Sequence, residues 1–204
     1  SPNIKERRDY SCAVFDAEGQ MIAQAAHMPV HLGAMPTAVR AVMDLAPFEP
    51  GDVLALNDPF LGGTHLPDIT TVAPVFAGQP EPIGYVASRA HHADIGGMAP
   101  GSMPVARELL QEGLVIPPIR LIRAGEPEAA ATALIVRNSR APIEREGDLR
   151  AQLASVALGD RRLTALSQRL GIETLAERTV ALLAHGERVV RAVIAELPDG
   201  RYEF

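Results

Sequence analysis

Hydrophobic and polar positions alternate in short runs through the first part of the chain. Over residues 10–25, Cys12 to Phe15 and Met21 to Ala25 flank Asp16-Ala17-Glu18-Gly19, a turn whose glycine is free to take positive φ, which predicts a β-hairpin. Val39, Val42 and Met43 recur at helical spacing behind Pro36 and ahead of Pro47, which predicts a short helix over 36–45. Pro50-Gly51-Asp52 then turns the chain into an apolar strand at 53–56. Two more β-rich runs, 69–77 and 83–88, are joined by Gly78-Gln79-Pro80-Glu81 and predict a second hairpin. Residues 126–137 read as a helix closed by Asn138, against the signal of Pro127.

From residue 147 the period becomes helical. Leu149, Leu153, Val156, Leu163, Leu166 and Leu170 form one stripe, with Gly171 as a C-cap. Leu175, Leu182, Val189, Val193 and Leu197 form a second, stopped by Pro198. The short link makes the two helices antiparallel neighbours. Sixteen of the 17 prolines and five of the six histidines precede residue 143. The expected organisation is therefore a site-bearing α+β region over 1–143 and a helical hairpin, followed by the start of a truncated strand region, over 144–204. The fold class is α+β: a mixed or antiparallel sheet with flanking helices, followed by a C-terminal antiparallel helix pair. Burial of the two leucine-rich stripes, at roughly 1.5–3 kcal/mol per large apolar side chain, requires such a surface.

Composition narrows the function classes. The chain has 204 residues, 47% hydrophobic and 22% charged, the balance of an ordinary globular protein. A net charge of −6 with no basic run argues against nucleic acid or an anionic membrane as partner. No apolar stretch approaches the roughly 18 residues of a membrane-spanning helix. Cys12 is the only cysteine, which excludes an internal disulfide and suits a reducing, cytoplasmic setting. No Gly-x-x-x-x-Gly-Lys-[Ser/Thr] or Gly-x-Gly-x-x-Gly sequence is present, so neither phosphate-binding motif is available. The chain opens on Ser1 rather than Met and ends in a turn entering a strand, which leads us to expect a piece of a longer protein.

Candidate chemistry concentrates in 57–103. His65-Leu66-Pro67-Asp68 and His91-His92-Ala93-Asp94 each pair imidazole with carboxylate within three positions. A hairpin formed by the strands between them would return both segments to one end. His65, Asp68 and one of His91 or His92 would then make a two-histidine, one-carboxylate set with open coordination positions, suited to Mn(II), Fe(II) or Zn(II). The second histidine or Asp94 would orient a ligand or act as general base. Histidine and aspartate in glycine-rich loops also hold turns by hydrogen bonds, and that is the competing reading. The His27 and His31 loop can reach the same site or serve structure alone. Cys12 reads as a small core residue, and Ser102, in Pro-Gly-Ser-Met-Pro, lacks the context of a nucleophile elbow.

These segments resemble the hydantoinase B/oxoprolinase family. The resemblance rests on Asn3-Ile4-Lys5-Glu6-Arg7 with Asp9 and Ser11, Pro29-Val30-His31-Leu32-Gly33 with Met35, Asn57-Asp58-Pro59, and Gly62-Gly63-Thr64-His65-Leu66-Pro67-Asp68-Ile69. It continues through His91-His92-Ala93-Asp94-Ile95-Gly96-Gly97, Pro100-Gly101-Ser102-Met103-Pro104, Asn138-Ser139-Arg140 and Gly147-Asp148-Leu149-Arg150-Ala151-Gln152. Met28, Ala34, Phe60 and Ala90 depart from the family's usual residues, and Ala90 adjoins the histidine pair. The resemblance implies an ATP-dependent hetero-oligomer. In it, a hydantoinase A-type partner subunit or domain uses ATP to activate a carbonyl or amide oxygen. The chain resembling this one then opens the ring of a cyclic amide such as a hydantoin or 5-oxoproline. Carboxylation of a ketone, as in acetone and acetophenone carboxylases, is the alternative within the family, and a non-catalytic scaffold is the alternative outside it. The resemblance further implies His65, Asp68 and His91 as metal ligands, with His92 still open, and His92 or Asp94 as the catalytic proton-transfer group. The part seen here is expected to be inactive without its partner.

Overall fold

The computed structural model of the chain describes residues 1–25 and 28–201, with the backbone alone at Leu32. A short helix α1 (Pro2–Lys5) leads into β1 (Tyr10–Asp16) and β2 (Met21–Gln24), the expected first hairpin. Helix α2 (His31–Met43) and β3 (Val53–Leu56) follow. Next come β4 (Asp68–Val75) and β5 (Gly84–His91), the expected second hairpin. Strands β6 (Ile119–Arg123) and β7 (Glu126–Pro127) precede helices α3 (Ala129–Arg137), α4 (Pro142–Leu170) and α5 (Ile172–Ile194). The strands form one sheet in the order β2-β1-β5-β4-β3-β6-β7, and every neighbouring pair is antiparallel.

Both faces of the central strands are covered. On one face, Met35, Ala38, Val39 and Val42 of α2 pack against Ala13, Phe15, Leu54, Leu56, Val72, Tyr85 and Ala87. On the other, Val156 and Leu163 of α4 pack with Val53, Ala73, Val75 and Val86. Leu149 and Ile135 close an adjoining core over Ala55, Ile69, Ile95, Ile116 and Leu121. Helix α4 comes close to the sheet at Gly159, where an added Cβ would stand 3.1 Å from the Val86 side chain. Burial on both faces explains why every residue of β4 is buried and why its sequence shows no clean alternation.

Three local expectations shift. The helix expected over 36–45 starts five residues earlier, at His31, because hydrogen bonds to that side chain anchor an extra turn ahead of Pro36. The segment 126–137 divides into β7 and α3, since Pro127 lies on the sheet edge, where its missing N–H costs no ladder bond. The strand β6, which pairs with β3, was not anticipated. The compositional boundary at 143 falls just inside the start of α4. Leu175 of α5 packs on the α4 core, whereas Leu182, Val189 and Val193 are exposed. Among the described residues, no helix is long and apolar enough to cross a membrane.

Candidate metal centre

The second hairpin sets the geometry. Asp68 opens β4, and its register partner is His91, the last residue of β5. Cross-strand partners share a face, and successive residues alternate faces. Asp68, Thr70 and Val72 therefore lie on the α2 side with Tyr85, Ala87, Arg89 and His91. His91 Nδ1 stands 3.2 Å from Asp68 Oδ1. His65, in the turn before β4, puts its Nδ1 3.1 Å from Asp68 Oδ2. The ligand atoms of His65, Asp68 and His91 all lie within 4.8 Å of one another, and the two rings are 4.9 Å apart. Asp68 is buried, while the His65 side chain is 37% exposed and that of His91 13% exposed, so the imidazoles form the open side.

The same alternation sends His92 to the other face. It is fully buried, and its Nε2 lies 2.7 Å from Gln152 Oε1 on α4. Gln152 Nε2 donates to Ile69 O at 2.8 Å and to Ser88 O at 3.1 Å, so Oε1 is left to accept and His92 donates from Nε2. Burial, with the nearby Arg145 cation, pushes the His92 imidazole down to about 4 and keeps it neutral. Asp94 accepts from the backbone N–H of Gly96, Gly101 and Arg140 and from the Arg140 guanidinium at 3.1 Å. Burial pushes its carboxyl up, but these donors outweigh that and hold it below its ordinary value. The structure thus brings His65, Asp68 and His91 together and places His92 and Asp94 elsewhere.

Other residues complete the surroundings of Asp68. His31, the first residue of α2, places Nε2 3.3 Å from Asp68 Oδ2, and the Thr64 hydroxyl donates to the same oxygen. Burial pushes the Asp68 carboxyl up, yet hydrogen bonds from His31, His65, His91 and Thr64 overcome this and hold it well below the usual carboxylate range. Asp68 returns the effect, and its hydrogen bond raises His65 against the opposing effect of burial. Asp9 joins from the chain entering β1, where its carbonyl accepts from His91 N–H at 2.9 Å. The loop carrying His65 is fastened at two points. Arg89, fully buried, donates to Thr70 Oγ1 at 2.7 Å and to Gly62 O at 2.5 Å. Asn57 donates to Leu66 O and Leu114 O at 2.7 and 2.9 Å and accepts from Ile116 N–H at 2.6 Å.

Spacing did not single out Thr64, Asp9, Ser11 or Gln152, because their roles depend on the β1–β5 pairing and on where α4 lies. His27 lies outside the described residues. Cys12 faces α4, with Sγ 3.3 Å from Ser155 Oγ. Ser102 accepts from Ile95 N–H at 2.7 Å and donates to Gly96 O at 2.8 Å, which ties a loop. Ala90 also faces the α4 side, near Ala151 and Gln152, so it does not line the three-residue cluster.

The donor set fits a divalent cation. Donors about 2.1 Å from a shared ion stand about 3.0–3.4 Å apart, the separation seen between each imidazole nitrogen and the carboxylate. Asp68 Oδ1 is buried and, apart from His91 Nδ1 at 3.2 Å, has no polar partner. Two imidazoles and a carboxylate thus meet at the open end of a β-hairpin in an α+β protein, a donor set that could hold a metal ion.

The chain belongs to the hydantoinase B/oxoprolinase family, whose model matches residues 1–204. It is 39% identical to the 5-oxoprolinase of Saccharomyces cerevisiae over 212 residues, which cover 98% of this chain and 16% of that protein. It is 36% identical over 197 residues to the caprolactamase β subunit of Pseudomonas jessenii, covering 95% of this chain and 34% of the subunit. The crystal structure of the ATP-dependent caprolactamase from that organism superimposes with a TM-score of 0.89 at 35% identity, over 94% of this chain and 34% of that one. A nucleotide-free acetone carboxylase shares the fold, with a TM-score of 0.78 at 22% identity over 86% of this chain and 24% of that one. The chain thus spans about a third of the caprolactamase subunit and about a sixth of the 5-oxoprolinase.

Proposed function

We propose that this chain supplies the divalent-metal centre of an ATP-dependent enzyme that hydrolyses a cyclic amide, and that His65, Asp68 and His91 hold the ion. The observation that carries this reading is the pairing of Asp68 with His91 across the hairpin, with His65 turned onto the same carboxylate and Asp68 Oδ1 met only by His91 Nδ1. Two relatives support the substrate class, since 5-oxoproline and caprolactam are both lactams. The acetone carboxylase likeness is one of fold alone and does not favour ketone carboxylation. Mn(II), Zn(II) and Fe(II) all suit the donors.

A divalent ion held there supplies Lewis acidity to a carbonyl or to water. The chain's own residues bind and orient. Asp68 presents a carboxylate that the groups around it hold below its ordinary range. His65 and His91 face the open side, where substrate must arrive. Thr64 holds Oδ2, which also faces His65, and Oδ1 faces His91. His92 and Asp94 act as positioning residues: His92 fixes the end of β5 through Gln152, and Asp94 fixes the glycine loop through Arg140. With no phosphate-binding loop in its sequence, the chain leaves ATP to a hydantoinase A-type subunit or domain.

The test uses the intact protein with its ATP-binding partner, assayed on hydantoin, 5-oxoproline and caprolactam with elemental analysis for Mn, Zn and Fe. The expected result is ATP-dependent ring opening, about one ion per centre, and loss of ion and activity in His65→Ala and His91→Ala. Bicarbonate-dependent turnover of a ketone, or full activity in a metal-free preparation, would overturn the reading.

A further inference from the structure

Beneath the cluster, Ser11 Oγ lies 2.8 Å from His31 Nδ1, and His31 Nε2 lies 3.3 Å from Asp68 Oδ2. Ser11, His31 and Asp68 are each 1% exposed, so water takes no part in fixing them. The direction of the hydrogen bonds follows from donor chemistry. The Asp68 carboxylate only accepts, so the nitrogen facing it carries the proton, and His31 donates from Nε2. The other nitrogen of a neutral imidazole then accepts, and the Ser11 hydroxyl donates to it. Ser11 Oγ in turn accepts from Met28 N–H at 3.4 Å, just ahead of α2. A one-way chain thus runs from the backbone at Met28 through Ser11 and His31 into a single oxygen of Asp68.

We infer that Ser11 and His31 form a positioning relay that, with Thr64, holds Asp68 Oδ2 and so fixes the plane of the carboxylate toward the His65 and His91 imidazoles. The inference rests on the metal reading above and adds the means by which the Asp68 carboxylate is oriented. Oδ2 takes Thr64 and His31 and also faces His65 Nδ1 at 3.1 Å, whereas Oδ1 faces His91 Nδ1 at 3.2 Å and has no other polar partner. A carboxylate free to rotate would present either oxygen and lose the pre-set geometry. Outer partners that fix a metal ligand in this way are worth roughly 10–100-fold in metal affinity. Ser11 sits on β1 and His31 on α2, so the relay also couples the α2 packing to the cluster.

The experiment titrates Mn(II) into the intact, metal-stripped protein, reading free aquo-Mn(II) by EPR alongside the melting temperature of the metal-free form. His31→Phe keeps the ring and removes both nitrogens, and should weaken Mn(II) roughly tenfold or more. His31→Gln restores a donor near the Nε2 position and should recover most of that loss, a rescue that a purely packing role would not produce. Ser11→Ala removes one oxygen and should weaken Mn(II) by a smaller factor of about three to ten. If His31→Phe does not fold, Ser11→Ala carries the test alone, and unchanged Mn(II) affinity there overturns the relay. Tight Mn(II) binding left unaltered by folded His31→Phe overturns the relay and leaves the metal reading standing. No Mn(II) bound by the unaltered protein removes both.

Discussion

Asn57→Ala should loosen the candidate site without touching any of its ligands. Asn57 is fully buried and makes three side-chain hydrogen bonds, to Leu66 O, Leu114 O and Ile116 N–H. Leu66 adjoins His65, so this side chain fastens the ligand-bearing loop to the segment that precedes β6. Truncation leaves those backbone groups without their partner. An unsatisfied buried group costs about 1–3 kcal/mol, and relaxation makes the three costs less than additive, so a loss of about 3–5 kcal/mol is expected. Against a domain stability of about 5–15 kcal/mol this is a large fraction. For a chain of this size each kcal/mol moves the melting temperature by about 2–4 °C, giving a fall of roughly 6–20 °C.

The assay is thermal unfolding of Asn57→Ala beside the unaltered protein, with hydrogen exchange read on peptides covering 57–67 and 114–116. Both peptides should exchange faster, and metal affinity should fall because His65 and Asp68 are no longer held in register. Asn57→Asp is the control. It keeps an acceptor for Ile116 N–H but sets an anion against two carbonyl oxygens, so it should be at least as damaging at neutral pH. A melting temperature within about 2 °C of the unaltered protein for Asn57→Ala would refute the assignment of this side chain as the loop's fastening.

Gly62→Ala should destabilise by about 1–3 kcal/mol more than Gly78→Ala. Both glycines have positive φ, but a Cβ at Gly62 would stand 2.2 Å from Ala38 N on α2, whereas at Gly78 it meets nothing within 4 Å; equal chemical-denaturation midpoints would refute this. Asp94 has a lowered carboxyl, so it contributes stability above its unfolded value near 3.8 and loses it as pH falls through its lower folded value. Asp94→Asn should therefore flatten the acid limb of an unfolding-versus-pH curve below about pH 4, and a limb of unchanged steepness would count against the Arg140 and backbone contacts as its cause. His92→Gln should retain bound metal where His91→Gln loses it, as measured by elemental analysis, because the two side chains leave β5 on opposite faces. The reverse result would mean that the strand register is wrong.

Much of the architecture is legible in the residues. The two hairpins declare themselves through Asp16-Ala17-Glu18-Gly19 and Gly78-Gln79-Pro80-Glu81, and β3 is found where an apolar run follows Pro50-Gly51-Asp52. The long helix is found from Leu149, Val156 and Leu163, which lie in the cores under the sheet. The unread parts have long-range causes. Residues 119–123 become a strand because β3 offers an edge to pair with; five residues of Ile-Arg-Leu-Ile-Arg carry only a short alternation, bounded by Pro117-Pro118 and Ala124-Gly125. The first turn of α2 exists because His31 is held from β1 and β4 at once, a tertiary effect that overrides the helix-start signal of Pro36.

The choice between His91 and His92 shows why the site was only half legible. Both are imidazoles at the same sequence distance, to within one residue, from His65 and Asp68, and no property of the pair alone separates them. Strand parity separates them once the register is known. Asp68 opposes His91, so a side chain one position further on must point to α4 and meet Gln152 instead. A single-residue slip between β4 and β5 would exchange their places. It would also bring the apolar Tyr85 and Ala87 onto the α4 side, out of the core they form with α2. The hydrophobic partition that stabilises the sheet is therefore the same constraint that selects which histidine faces Asp68.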